Sequence, residues 1–488
     1  SKNLVIKGSG SGSTIIDADS KNRHFYFNAS SSGTLLDSTF RIMDLTLKNG
    51  KPSSNDNGGS VYMTGYWNTN KATGHAPLFQ NVVFESNQSN NTTTGSYVRG
   101  GAIYAYRSIP QFRDVTFKYN STNYQGGAVY LYESDTTKTL TFERTYFLGN
   151  HSSATSDGME TYGGALWLGY VGKVVLQDAT FDSNYVAING SCCNNRGGAI
   201  LIENYYDDLI IQDTKFRANK VYKPTGNDGG RAQGGAIYAQ NGYGNVIITN
   251  SLFDGNIAES ATYNYSNGSS DTESYGGALH IYNNYWWSNN QYNFPYQTIL
   301  INNTFVNNKS LGSGTQQGRG GAVRFYQPSK ATLFNNIFWD NRGNNFGSDS
   351  SKHEFYTDNT NSSIFYMSNN NWQMADMKSD ANGFGSDNSS RDPQFVLDGS
   401  GDQYALSDAS YLIGAGIKTY ENQTAPTNDI LNNTRPSGSS TDNPDMGAYE
   451  NSLANTTYPD KVAGLTATPA NKSAILSWTA NSESNISK

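Results

Sequence analysis

The clearest pattern in the chain is a strict alternation of apolar and other residues after each of eight Gly-Gly pairs. These pairs are Gly58-Gly59, Gly100-Gly101, Gly126-Gly127, Gly163-Gly164, Gly197-Gly198, Gly234-Gly235, Gly276-Gly277 and Gly320-Gly321. The second and fourth residues after every pair are apolar, from Val61 and Met63 in the first unit to Val323 and Phe325 in the last. This period of two predicts one strand per unit with a single buried face.

A second motif, Phe-x-x-Asn, follows each Gly-Gly pair before the next one begins. Its eight asparagines are Asn87, Asn120, Asn150, Asn184, Asn219, Asn256, Asn308 and Asn341. Three residues before the motif's Phe stands Asn or Asp in seven of the eight units, and Arg144 is the exception. Because Asn and Asp tolerate the left-handed backbone conformation, this position predicts a tight corner between two short strands.

A unit of this size cannot bury its own apolar face, so the copies must stack on one another. At about 4.8 Å per coil, equivalent residues lie directly over each other, and we expect the eight asparagines to form a hydrogen-bonded column. The pattern therefore predicts an all-β fold, a right-handed parallel β-helix of about ten to eleven coils over residues 1–450.

The residues between the inward positions are expected to face solvent in two adjacent columns that are rich in tyrosine. The candidate binding residues in these columns are Tyr62, Tyr104, Tyr106, Tyr130, Tyr132, Trp167, Tyr238, Tyr282 and Tyr326. Tyrosine and tryptophan combine an apolar ring with a polar tip, which suits surfaces that bind sugars or proteins. Two alternatives stay open: the rings only stabilise the sheet by stacking, or long loops fold over them.

The alternation of GGA[ILV] with FxxN resembles the repeats of chlamydial polymorphic membrane proteins and related bacterial surface proteins, over residues 49–341. Residues 342–450 resemble the closing segment of secreted bacterial β-helix proteins. After a linker at 451–458, residues 459–488 resemble the first two strands of a fibronectin type III module, the beginning of a β-sandwich, with Trp478 at its core tryptophan position. These resemblances imply an extracellular or cell-surface protein of bacterial type.

Charge and hydropathy narrow the range of partners. A net charge of -7, with 15% charged residues, offers no basic surface for nucleic acid. No run of 18 apolar residues occurs, so no transmembrane segment is expected.

The leading hypothesis is a secreted or cell-surface scaffold, similar to an adhesin, that binds glycans, cells or copies of itself. The alternative is a polysaccharide lyase or another carbohydrate-active enzyme, and a third hypothesis is an extracellular filament subunit.

Few residues suggest catalysis. His280 and Arg324 occupy one outward column in adjacent coils, and Glu203 lies two coils away in the neighbouring column, which makes them the candidates for a lyase site. Cys192 and Cys193 form either a strained vicinal disulfide or two thiols. No metal-ligand spacing and no cofactor motif occurs, although Asp- and Asn-rich turns such as 386–392 supply oxygens that suit calcium.

Overall fold

The computed structural model describes most of the chain. The described residues are 4–29, 35–53, 56–68, 71–90, 97–154, 160–188, 194–223, 230–260, 273–282, 296–313, 317–326, 330–344, 354–357, 364–372, 387–397, 399, 403–439, 441–453, 463–470 and 473–479. Their regular elements are all β-strands, and none of these ranges contains a helix of the length and hydropathy needed to cross a membrane.

Four parallel sheets run along the stacked coils, and we number them in the order in which the chain passes through them after each Gly-Gly pair. Sheet I has ten strands, one per coil: β3 (Phe25–Asn28), β5 (Val61–Thr64), β10 (Ile103–Tyr106), β14 (Val129–Tyr132), β18 (Leu166–Gly169), β23 (Ile200–Glu203), β28 (Ile237–Gln240), β33 (Leu279–Tyr282), β38 (Val323–Tyr326) and β42 (Phe355–Thr357).

Sheet II has 20 strands, two short ones in most coils. They are β1 (Val5–Lys7), β2 (Ile15–Asp17), β4 (Arg41–Lys48), β8 (Leu78–Glu85), β11 (Gln111–Arg113), β12 (Thr116–Lys118), β15 (Leu140–Glu143), β16 (Tyr146–Leu148), β19 (Val174–Gln177), β20 (Thr180–Asp182), β24 (Leu209–Gln212), β25 (Lys215–Arg217), β29 (Val246–Thr249), β30 (Leu252–Asp254), β34 (Thr298–Ile301), β35 (Thr304–Val306), β39 (Lys330–Phe334), β40 (Ile337–Trp339), β43 (Ile364–Ser368) and β44 (Asn371–Trp372).

The two remaining parallel sheets are smaller. Sheet III follows the Phe-x-x-Asn motif: β9 (Gln88–Ser89), β13 (Ser121–Thr122), β17 (His151–Ala154), β21 (Tyr185–Ile188), β26 (Lys220–Lys223), β31 (Ile257–Ser260), β36 (Lys309–Leu311) and β41 (Arg342–Gly343). Sheet IV precedes Gly-Gly: β22 (Asn195–Arg196), β27 (Ala232–Gln233), β32 (Ser274–Tyr275) and β37 (Gly318–Arg319). Three antiparallel pairs complete the described strands: β6 (Tyr66–Asn68) with β7 (Lys71–Thr73), β45 (Thr419–Tyr420) with β46 (Gln423–Thr424), and β47 (Ala463–Ala470) with β48 (Ser473–Thr479).

The core lies inside the coils, where the period-two positions point. Val61 pairs in register with Ile103, which pairs with Val129, and all three are fully buried. The phenylalanines of the Phe-x-x-Asn motif stack face to face with ring centroids 4.5–4.9 Å apart, which matches the rise of one coil. The predicted fold class, an all-β parallel β-helix, is confirmed.

Left-handed residues set the corners of each coil. The Asn or Asp corner of sheet II has a positive φ in all eight units, and Arg144 adopts the same conformation with φ 48°. A second left-handed residue stands directly before each asparagine of the Phe-x-x-Asn motif, for example Ser183 at φ 56°. The first glycine of every Gly-Gly pair is also left-handed, for example Gly163 at φ 63°. A side chain on the second glycine, as at Gly164, would overlap the carbonyl oxygen of Gly198 in the next coil.

The eight motif asparagines form a continuous buried column. In each step, the backbone N–H and Nδ2 of one asparagine both donate to Oδ1 of the next, as from Asn150 to Asn184 at 3.0 Å. The Nδ2 of Asn184 also donates to the carbonyl oxygen of Phe147 at 2.9 Å. Each interior amide is thereby satisfied without water, so the column holds successive coils in one register.

A second asparagine column appears only in the C-terminal coils. The residue after the sheet II corner is apolar in early coils, as at Val82 and Val115, but it is Asn303 and Asn336 in later ones. The Nδ2 of Asn303 donates to Oδ1 of Asn336 at 3.0 Å, and Asn336 donates to Asn370 at 2.9 Å.

Residues 403–453 pack along the outer face of sheet II. The Tyr404 hydroxyl donates to Asp254 Oδ1 at 2.9 Å, and the Asn302 side chain donates to the carbonyl oxygen of Asp445 at 2.9 Å. Outward residues of these coils, such as Ile299 and Ile337, are apolar and buried under this segment. We call residues 403–453 the closing segment. The hairpin β47–β48 exposes Trp478 by 56%, and its assignment to a fibronectin-type module stays a prediction.

Candidate functional site

The first outward column of sheet I is largely covered, which contradicts the expectation that it faces solvent. Tyr130, Trp167 and Tyr238 are only 5%, 3% and 1% exposed, and His280 and Arg324 are equally enclosed. Rings in this column stack along the axis, with Tyr130 and Trp167 centroids 4.4 Å apart. Burial raises the pKa of Tyr238 to about 12, so its hydroxyl stays protonated.

The cover is the chain that returns to each Gly-Gly pair. The left-handed first glycine turns the backbone so that the residue before it lies across the outward face of sheet I. These covering residues are Arg99, Gln125, Tyr162, Arg196, Gln233, Tyr275 and Arg319. Arg99 and Arg196 lie over the rings of Tyr130 and Tyr238 at 5.3 Å and 5.2 Å. For Tyr130, Trp167 and Tyr238, the two alternatives to a binding surface therefore both apply. Their rings stack on one another, and the chain that returns to the Gly-Gly pairs covers them.

The second outward column remains partly accessible. Tyr106 and Tyr132 stack with centroids 5.9 Å apart, and Tyr282 and Tyr326 stack at 4.9 Å. All four are half-buried, as are Tyr62 and Tyr104 at the N-terminal end of the first column.

A row of aromatic rings, half-buried in this second column and exposed on the loops beside it, continues along the axis. We call it the aromatic stripe: Trp67, Tyr106, Tyr132, Tyr170, Tyr206 and Tyr243. The Tyr132 ring meets Tyr170 edge-on at 5.3 Å, Tyr170 lies 6.4 Å from Tyr206, and Tyr206 stacks on Tyr243 at 5.5 Å. At its other end, the Arg107 guanidinium bridges Tyr106 and Trp67 at 4.4 Å and 4.9 Å.

The stripe crosses six successive coils, from that of β5 to that of β28. Trp67, Tyr206 and Tyr243 are about half exposed, at 51%, 46% and 50%. The loops that carry them are themselves hydrogen-bonded: the Tyr206 N–H donates to Val171 and the Tyr243 N–H donates to Tyr205, at 2.8 Å and 2.7 Å. The loops therefore hold the rings in line along the axis.

Tyr170, Tyr206 and Tyr243 were missed in the sequence because they stand after the sheet I strands, six, eight and eight residues beyond the second glycine of their Gly-Gly pairs, and not at the alternating positions of those strands. Their common signal is the left-handed residue that follows the sheet I strands β10, β14, β18, β23 and β28. Tyr170 is that residue, while Tyr206 and Tyr243 each follow one, Asn204 and Asn241, by two positions.

The catalytic candidates come together only in part. His280 pairs in register with Arg324 in the next coil. Glu203 lies two coils from His280 and accepts a hydrogen bond from the side-chain amide of Gln240, which lies in the coil between them. Burial first, and then the charge of Arg324, lowers the pKa of His280 well below its ordinary value. The neutral ring is 0% exposed, and among the described residues neither ring nitrogen has a hydrogen-bond partner. A base for an extended polymer must reach its substrate, and His280 is closed off from solvent.

Two further expectations concern thiols and metals. Cys192 and Cys193 lie outside the described residues. Within the part of the chain that the structure describes, no three His, Cys, Asp or Glu side chains cluster in a way that could hold a metal ion.

Comparison with known proteins gives a short match to one family. Residues 114–132 match the Chlamydia polymorphic membrane protein repeat, a stretch that contains one Phe-x-x-Asn motif and one Gly-Gly pair. The crystal structure of pectate lyase Pel9A is 15% identical, covering 89% of this chain and 98% of that chain with a TM-score of 0.35. No curated protein matches the chain. The chain is a β-helix repeat protein, and one of its repeats is similar to the repeat of Chlamydia polymorphic membrane proteins.

Proposed function

We propose that this β-helix repeat protein is a secreted or cell-surface scaffold of a bacterium that binds glycans through the aromatic stripe. The observation that carries the proposal is the continuous row of half-buried and exposed rings across six coils. Aromatic rings pack against the C–H faces of sugars, and their hydroxyls bond to the sugar hydroxyls. The similarity of residues 114–132 to a surface-protein repeat supports the location.

The spacing of the rings favours a polymer over a small sugar. Neighbouring rings are one coil apart, so the stripe presents a repeating series of contacts over about 24 Å, taking about 4.8 Å per coil. Such a row suits an extended polysaccharide that lies along the solenoid axis. The charged side chains that contact the rings at this end of the stripe, Arg107 and Glu133, form an ion pair with Nε and Oε2 3.0 Å apart. Because the two charges offset each other, we expect the polymer to be neutral.

The test is a binding assay with insoluble cellulose, chitin and xylan. The double variant Tyr206→Ala/Tyr243→Ala should bind the preferred polymer about thirtyfold more weakly, because each of the two lost ring contacts is worth about 1 kcal/mol. Tyr411→Ala is the matched control, since Tyr411 is an exposed tyrosine, 41% accessible, outside the stripe. Equal binding by the double variant and the wild type would contradict the proposal.

The same samples test the other hypotheses. Release of unsaturated oligosaccharides from a polyuronate added to the panel would favour a lyase, because β-elimination needs the carboxylate that cellulose, chitin and unsubstituted xylan lack. The burial of His280 argues against the catalytic set expected from the sequence. Ordered assemblies of the purified protein in electron micrographs, together with a lack of polysaccharide binding, would favour self-association or a filament subunit.

A further inference from the structure

A polar cleft opens beside the strand β3 of sheet I, between the turn that precedes β3 and the segment that precedes β5. Its volume is about 370 Å³, and we call it the N-terminal cleft. Its polar and aromatic lining comes from Asn22, Arg23, His24, Tyr26, Ser53 and Asp56. The Lys51 N–H donates to the carbonyl oxygen of Asn22 at 3.0 Å, so the backbone on the two sides of the cleft is held together.

Tyr26 presents an aromatic ring in this cleft. It lies in the first outward column of sheet I, in register with Tyr62, and it is 59% exposed. Its ring stacks on that of Tyr62 with centroids 4.9 Å apart and an angle of 4° between the planes. The Arg23 guanidinium lies over both rings, 5.6 Å and 5.1 Å from their centroids. The Tyr26 ring is therefore held in place while it is open to solvent, so a ligand that packs on it orders little that is not already ordered.

An ion pair lies beside this ring. Arg23 Nη2 donates to Asp56 Oδ2, and Asp56 Oδ1 accepts from the Asn57 N–H at 2.9 Å. The Asp56 side chain is 44% exposed, and a carboxylate accepts about four hydrogen bonds, so it has capacity for ligand hydroxyls. The Arg23 side chain is 8% exposed, and its Nη1 has no hydrogen-bond partner within the described part of the chain. Because an unpaired buried donor is costly, an oxygen of a ligand in the cleft would be a favourable partner for it.

The lining of the cleft carries no net charge. The charges of Arg23 and Asp56 offset each other. Burial lowers the pKa of His24, so its ring is neutral at neutral pH. His24 Nε2 donates to the carbonyl oxygen of Ile16 at 2.9 Å, and Nδ1 accepts from the Ser60 hydroxyl at 3.0 Å. An uncharged ligand that is rich in hydroxyls therefore suits this cleft better than an ion does.

The size of the cleft and its aromatic ring select among such ligands. Its volume, about 370 Å³, lies near the lower end of the range of about 300–1,000 Å³ for small-molecule sites. This leaves room for one sugar residue and its glycosidic link. The C–H face of a pyranose packs against an aromatic ring such as that of Tyr26, and the Asn22 amide and the Ser53 hydroxyl can bond to further sugar hydroxyls.

We propose that the N-terminal cleft binds one neutral pyranose residue, with a face of the sugar on Tyr26 and two neighbouring hydroxyls on the Arg23–Asp56 pair. One hydroxyl donates to the Asp56 carboxylate, and the next accepts from the Arg23 guanidinium. This site goes beyond the proposed function, because it recognises a single sugar residue through side chains that are not part of the aromatic stripe.

The test is a set of NMR titrations with methyl glucoside, methyl galactoside, methyl mannoside and sorbitol. We expect at least one glycoside to bind. Sorbitol has the hydroxyls of glucose but no ring, so it should bind at least fivefold more weakly. Tyr26→Ala should weaken the binding of that glycoside about fivefold because the stacking face is lost, whereas Tyr26→Phe keeps the ring and should bind as the wild type does. Asp56→Asn should weaken it about tenfold, since a charge-assisted hydrogen bond is lost.

Two matched variants are the controls. Tyr97 is an exposed tyrosine, 48% accessible, that packs on the ring of Tyr124 with centroids 4.7 Å apart. Asp114 is 40% exposed and paired with an arginine, as Asp56 is. Neither residue lines the cleft, so Tyr97→Ala and Asp114→Asn should bind the glycoside as the wild type does.

Three results would each overturn the proposal: no glycoside binds, sorbitol binds as well as the glycosides, or Tyr26→Ala binds as the wild type does. An equal loss in the two control variants would overturn it as well. Tyr206 and Tyr243 do not line the cleft, so the double variant of the polymer assay should bind the glycoside normally. The hypotheses of the cleft and of the stripe therefore fail separately.

Discussion

At the scale of single residues, the coil depends on backbone conformations that most side chains disfavour. The corner column of sheet II contains Asn or Asp at every repeat except at Arg144, which is left-handed at φ 48°. A left-handed conformation costs a residue such as arginine roughly 1 kcal/mol, whereas Asn adopts it at lower cost. The Arg144 guanidinium pairs with Asp114, Nε to Oδ1 at 2.6 Å, and also with Glu143.

Arg144→Asn should raise the free energy of unfolding by about 0.5 kcal/mol, because it relieves the backbone strain of a left-handed arginine. The ion pair that the variant loses contributes little, since the Arg144 and Asp114 side chains are 46% and 40% exposed. The new amide can bond to Asp114 as Asn81 bonds to Asp44 in an earlier coil, at 2.8 Å. Urea denaturation measures the change. Arg144→Ala is the control, since it loses the ion pair and keeps the strain, and it should be less stable than the wild type. An Asn variant that is less stable than the wild type would mean that the ion pairs outweigh the strain.

Single residues also show which parts of the structure the sequence pattern can predict and which it cannot. The period of two places Val61 and Ile103 inside, because burial of one strand face is a local property of the pattern. The same period says nothing about what covers the other face. Tyr130 and Tyr238 are buried because a distant part of each coil returns over them, and that depends on the turn at the left-handed glycine. Tyr170, Tyr206 and Tyr243 stand outside the period-two strands, so only the stacked loops bring them into line with the column.

At the scale of elements, the closing segment contains an unusual group of buried charges. Arg435 Nε lies 3.3 Å from Glu450 Oε2, and both side chains are almost fully buried. Asp445 accepts hydrogen bonds from the N–H groups of Gly414 and Asn451, each at 2.7 Å. Burial raises the pKa of Asp445 and Glu450, and it raises the pKa of Asp213, on the sheet II face beneath the segment, to about 6.

These shifts predict that the closing segment docks more tightly in mild acid. A carboxyl whose pKa is raised in the docked state binds more protons there than in the free state, so docking loses stability as pH rises from about 4 through about 7. Hydrogen exchange of amides in 403–453, converted to opening free energies, should give a smaller value at pH 8 than at pH 5. Asp213→Asn should reduce this difference, because the amide does not titrate. Stronger protection at pH 8 would contradict the direction of the shifts.

At the scale of the whole molecule, the coils are alike inside and different outside. The interior Phe and Asn columns run through all eight repeats with nearly constant spacing. The outer faces differ along the axis: the stripe lies on the earlier coils, and the closing segment covers sheet II beside the later coils. A fold with such a uniform interior separates the stability of the solenoid from the sites that it carries.

That separation predicts the result of removing whole coils. Deleting 128–164 joins Gly127 to Ala165, and deleting 199–235 joins Gly198 to Ala236, so each deletion restores the Gly-Gly-Ala sequence and leaves one Phe-x-x-Asn fewer. Because equivalent residues occupy equivalent positions in every coil, both proteins should keep a cooperative thermal transition and a β-rich circular dichroism spectrum. If both deletions abolish folding, the coils are not interchangeable and the contacts between particular loops, rather than the repeated Phe and Asn columns, determine the stability of the solenoid.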